Sequence, residues 1–120
     1  MQLDEVSQYS VSDAVCADAT SEWIRRVLTA AAEGEDGATT PATAKGRAPF
    51  RITDACSCVG GNTLSFSRTF EQVHASETHP GRLAMLKDNC KLAGADSRNT
   101  WRHTRAKRSS LWMVRWRLCG

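Results

Sequence analysis

DACSCVGGNTLSF, residues 54–66, follows a short apolar run, Phe50-Arg51-Ile52-Thr53, and decides how the rest of the chain is read. An acid closes what has the composition of a strand. Six residues on, two adjacent glycines, Gly60 and Gly61, precede Asn62, Thr63 and an amphipathic segment over residues 64–70. Glycines at a strand-to-helix turn bare the backbone, and the amides at a helix start then face whatever sits there. In an open parallel sheet, small ligands gather beyond the carboxyl ends of the strands. Asp54 would there offer a carboxylate to a ligand amine. Residues 72–76 read as a second strand ending on Glu77, 23 residues after Asp54, where an acid receives two ribose hydroxyls. Together the two acids and the turn point to a nucleoside that carries an amino group. A dinucleotide fits less well, because Cys58 stands where G-x-G-x-x-G would place its first glycine. The plain alternatives are a tight turn for Gly60-Gly61 and a solvated acid at a helix start for Glu77.

Further along, Pro80 opens a helix with apolar residues at Leu83, Leu86, Cys90 and Ala93, and Gly94 closes it. Those apolar positions read as core. Strand, helix, strand in this span is a βαβ unit, which packs as parallel strands with a right-handed crossover. Upstream, residues 1–12 are polar and read as loose until Tyr9-Ser10-Val11-Ser12. From about Ser12 a helix is expected, with Val15, Ala19, Trp23, Ile24, Val27, Leu28 and Ala31 on one face and Gly34 as its C-terminal cap. Residues 34–48 hold three glycines, a proline and small polar residues without period, and read as a flexible connector. After Gly94 residues 95–110 lack an apolar period and read as a basic loop or disordered segment. Trp112, Val114, Trp116 and Leu118 then alternate with Met113, Arg115 and Arg117 as in a half-buried strand. The expected organisation is an N-terminal polar segment and helix (1–33), a connector (34–48), a βαβα core (49–96) and a basic tail (97–120).

The chain has 120 residues, 41% hydrophobic and 24% charged, enough for one modest domain. No apolar stretch approaches the roughly 20 residues of a membrane helix, so no membrane role is expected. The start carries Asp4 and Glu5 and no apolar signal region, from which a cytoplasmic or nuclear setting is expected. Five scattered cysteines fit reduced thiols better than a disulfide framework. Cys56 and Cys58 have no second pair to complete a zinc site, and His74, His79 and His103 share no metal spacing, so no metal is expected. The net charge of +3 conceals an asymmetry: residues 97–120 hold seven Lys or Arg and no acid, leaving nine cations against thirteen acids in residues 1–96.

The stretches ITDACSCVGGNTLSF and EQVHASETHPGRLAMLKDNCKLAG together resemble the first half of a class I S-adenosylmethionine-dependent methyltransferase, most of all the trimethylguanosine synthase group of RNA cap guanine-N2 methyltransferases. Asp54, Val59, Gly60, Gly61, Asn62 and Thr63 match the first turn, and Val73, Ala75, Glu77, Pro80, Arg82, Asn89 and Gly94 match the strand and helix that follow. Tyr9-Ser10-Val11-Ser12 resembles the segment preceding the domain in that group. The resemblance implies an α/β fold, an incomplete Rossmann-like methyltransferase core preceded by a helix. It also implies S-adenosylmethionine as cofactor, with Asp54, Gly60 and Gly61 at its methionine end, Glu77 at its ribose, and Asn62 among the residues that bind it. Cys58 replaces the usual first glycine of the turn and His79 the usual Asp before the proline. The group's Pro-Pro-Trp motif, which places the acceptor base, has no counterpart after Gly94, so no catalytic residue is assigned and a truncated copy without transfer is expected. With few strands, the first would keep an open edge unless residues 114–118 or a second copy of the chain pair with it, and self-association is expected there.

The tail allows another function. Its tryptophans interleaved with Arg102, Arg105, Lys107 and Arg108 suit a non-catalytic RNA-binding protein, with bases stacked and phosphates paired in a salt-sensitive manner. Enrichment in Arg, Trp and Cys with lost periodicity is also what a shifted reading frame yields past residue 94.

Overall fold

The computed structural model describes residues 1–36, 46–95 and 100–103. Seven elements follow in order: α1 (Ser7–Ser10), α2 (Ala14–Asp36), β1 (Ala48–Asp54), α3 (Gly61–Thr69), β2 (Phe70–Glu77), α4 (Pro80–Leu92) and β3 (Thr100–His103). The strands form one parallel sheet in the order β1-β2-β3, an α/β arrangement that makes up part of a Rossmann-like core. Ile52 stands beside Val73 and Asp54 beside Ala75 in the β1–β2 register. Among the described residues, the far edge of β1 carries no strand. Residues 114–118 lie outside the described residues.

One face of the sheet holds the core. Ala48, Phe66, Phe70 and Val73 pack with Ile24, Leu28, Phe50 and Ile52, while Ala75, Leu83, Leu86 and Cys90 pack with Leu64. Val73 and Ala75 are two apart on β2 and so share a face, which places α2, α3 and α4 on the same side. Burial raises the Cys90 thiol to about 11, as expected of an inert core cysteine. Arg51, Thr53, Gln72 and His74 line a shallow hollow on the opposite face. Helix α4 begins and ends as its punctuation predicts. Pro80 is in its first turn, Nδ1 of His79 accepts the Arg82 amide, and Gly94 at φ +64° lets Ala95 and Gly94 donate back to the carbonyls of Cys90 and Lys91.

Four sequence readings need correction. Helix α2 does not stop at Gly34 but continues to Asp36, because a single glycine costs only about 1 kcal/mol in a long helix. Its packed face is Ala17, Ser21, Ile24 and Leu28, while Val15 and Trp23 are 79% and 67% exposed. Small residues win that face because they let α2 approach α3 closely. Ser65 Oγ donates to Asp18 at 2.5 Å, and the Ser21 and Ser65 hydroxyls meet at 2.6 Å. The first twelve residues are not loose. Asp4 and Ser7 bond reciprocally, amide to side chain, at 2.8 and 2.6 Å, the logic of a capping box, and α1 follows. Finally, part of the stretch read as a basic loop forms β3, whose Thr100 pairs with His74 and Arg102 with Ser76. Four residues are too few to show a period; the β2 edge supplies the template.

Candidate functional site at the strand tips

Asp54 ends β1 and Glu77 ends β2, and the turn between β1 and α3 lies across both tips. Ser57 donates its amide to Ser76 O at 3.0 Å and its hydroxyl to Asp54 O at 2.8 Å, while Ser76 Oγ donates to Ala55 O at 2.9 Å. The sequence positions therefore converge as their spacing anticipates. Asp54 accepts from Thr63 Oγ1 at 2.5 Å. Burial raises its pKa; the Thr63 hydroxyl and the Cys56 amide oppose that, and the nearby Glu77 carboxylate adds to it. The two acids thus sense one another electrostatically. Glu77 is 8% exposed, and its Oε1 accepts the His79 amide at 2.8 Å and the Thr78 hydroxyl at 3.3 Å. Two carboxylates so placed, one of them resisting ionisation, make the strand tips favourable to a cation.

The glycines have packing reasons that the sequence reading did not contain. Gly60 sits at φ +106°, where a Cβ would also lie 2.8 Å from Leu86 Cδ1 in the core. A Cβ on Gly61 would lie 2.8 Å from Ser12 O and from Val11 Cγ2. The close approach that Gly61 permits is thus made first by the chain's own N-terminal segment. Cys58, in the place of the usual glycine, adopts φ +50°, the left-handed region that glycine fills without strain, and its Sγ lies 3.9 Å from Ser10 Oγ. Asn62 is half-buried in the first turn of α3.

Sequence reasoning missed the clamp behind the turn. Asn89, 2% exposed, accepts the Gln2 amide at 2.6 Å and donates Nδ2 to Gln2 O at 3.0 Å and to Val59 O at 2.9 Å. Arg82 Nε meets Asp4 Oδ2 at 2.9 Å. Bonds from the Ser7 hydroxyl and amide, then Arg82, hold Asp4 well below the usual carboxylate range. The hydrogen bond to Asp4, with the charge of that carboxylate, in turn raises the pKa of Arg82. The reciprocal Asp4-x-x-Ser7 spacing was the one local signal available for this arrangement. Among the described residues no three His, Cys, Asp or Glu side chains gather as a metal site, and no helix is long and apolar enough to cross a membrane. Of the basic positions expected to meet RNA, Arg102 lies in β3; Arg105, Lys107 and Arg108 lie outside the described residues.

Comparison with known proteins matches residues 50–113 to the family described as RNA cap guanine-N2 methyltransferase. That match continues past residue 94 into the segment where a shifted frame was considered. No curated protein matches. Among solved structures, the YcgJ protein from Bacillus subtilis is similar over 49% of this chain and 25% of its own, at 15% identity and a TM-score of 0.45. The chain therefore spans about a quarter of that neighbour's length.

Proposed function

This chain belongs to the RNA cap guanine-N2 methyltransferase family, and on that premise we propose that its strand tips hold S-adenosylmethionine. The observation that carries the reading is that Asp54 and Glu77 end neighbouring parallel strands, with the glycine turn lying across both tips. When bound, the cofactor supplies a methyl group on a cationic sulfonium. Glu77, nearly buried and aligned by the His79 amide, would receive the ribose hydroxyls. Each such bond to a charged group contributes about 1.5–3 kcal/mol. Asp54, with Gly60, Gly61 and Asn62, would face the methionine end, where an ammonium relieves the cost of ionising a half-buried carboxylate. The fit is chemical: two acids that repel one another accept a ligand carrying positive charge.

Within these 120 residues the last proline is Pro80, so the motif that places a guanine acceptor has no counterpart here. Binding without transfer is the activity proposed for the chain by itself, and methylation of capped RNA is carried over only as the family's work. Titration of S-adenosylmethionine into the purified protein tests this. Glu77→Ala should abolish the heat of binding, and Glu77→Gln, which keeps an acceptor for the His79 amide, should weaken it strongly; equal affinity in all three proteins removes the assignment.

A further inference from the structure

Resting on that cofactor reading, we infer that Asn89 is a positioning residue of the site, acting through the main chain of the glycine turn. Every bond its carboxamide makes goes to backbone: both Nδ2 hydrogens to carbonyls, of Val59 and Gln2, and Oδ1 to the Gln2 amide. A side chain used only to fill the core would not need this chemistry, and Leu86 and Cys90 on the same helix fill it without polar atoms.

The peptide between Val59 and Gly60 is the one at stake. Its N–H donates to Ser57 O at 2.9 Å, and its carbonyl is caught by Asn89 at 2.9 Å. Because the peptide is planar and trans, pinning both ends fixes its plane. On either side of Val59 the backbone is left-handed, φ +50° at Cys58 and φ +106° at Gly60, so the local chain has little preference of its own to hold this shape. That plane also sets the direction in which α3 starts, and with it the amides of Gly61 and Asn62. Through its two bonds to Gln2 the same carboxamide anchors the N-terminal segment, whose Val11 and Ser12 lie against Gly61. One amide thus fixes both the turn and the strap packed on it. Glu77 is positioned separately, by the His79 amide, so Asn89 should govern the methionine end of the cofactor and not the ribose.

The test compares two ligands by calorimetry on the full chain: S-adenosylmethionine, and 5′-methylthioadenosine, which keeps the nucleoside and sulfur but lacks the amino-acid end. Asn89→Leu, close in volume and without hydrogen bonds, should weaken S-adenosylmethionine by roughly tenfold or more while changing methylthioadenosine less than about twofold, as loss of a supporting residue behind a site does. Gln2→Pro removes the N–H that Asn89 Oδ1 accepts, fixes φ at residue 2 besides, and leaves α4 untouched. It should shift the ratio of the two affinities in the same direction by a smaller factor, and it decides the matter if Asn89→Leu does not fold. Equal loss for both ligands, or none, overturns the role of Asn89 and leaves the cofactor site standing. A wild-type chain that binds neither ligand removes the site itself, and this inference with it.

Discussion

Cys58→Gly tests the backbone description of the turn without touching any carboxylate. A residue with a Cβ in the left-handed region costs about 1–2 kcal/mol, and Cys58 adopts φ +50°. Glycine at that position releases the strain but returns about 0.4–1 kcal/mol of extra freedom to the unfolded chain. The thiol's contact with Ser10 is long, 3.9 Å, and its loss subtracts little. The net expectation is a gain of about 0.5–1 kcal/mol, which for a domain of this size raises the Tm by about 2–8 °C. Cys58→Ala is the control, because it removes the sulfur yet keeps the Cβ and should bring no gain. Thermal unfolding followed by circular dichroism in reducing buffer, with both variants and wild type at one concentration, gives the comparison. A Tm for Cys58→Gly at or below that of Cys58→Ala refutes the strained turn.

Gly61→Ala should cost about 1–3 kcal/mol in urea unfolding, because the new Cβ would meet Ser12 O and Val11 at 2.8 Å. In a chain lacking residues 1–12 the same substitution should be close to neutral, and an undiminished cost there means that the N-terminal segment is not what Gly61 accommodates. Asp54 has a pKa raised chiefly by burial, so its ionised form burdens the fold at neutral pH and protonation relieves it as pH falls through the raised value. Asp54→Asn should therefore melt above wild type at pH 7, with the gap closing as the solution is acidified, while losing affinity for S-adenosylmethionine. A gap that widens toward acid contradicts the direction assigned to Asp54.

What the sequence disclosed and what it withheld separate on physical lines. Asp54, Gly60, Gly61 and Glu77 were legible because strand and helix periods place them locally, and parallel pairing of β1 with β2 then brings the acids together. Arg82 and Asn89 were marked only by the resemblance, with no role attached, and Gln2 and Asp4 not at all, since the bonds that join them span 78–87 residues and no periodicity encodes a polar side chain meeting so distant a partner. The face of α2 was misplaced because Ala17 and Ser21 count as weak or polar in any hydrophobic pattern, yet small size and a hydroxyl pair are what its contact with α3 requires. Strand β3 escaped notice for lack of length and of an apolar period.

The bonds between Gln2 and Asn89 also order events in time. Residue 2 is made 87 residues before its partner, which at a ribosomal rate of about 5–20 residues per second is a wait of about 4–17 s. Throughout that interval residue 2 has no docking place. A substitution at Gln2 therefore acts on a latch that closes only once Asn89 has been made, and its harm would surface in the glycine turn that the same carboxamide holds.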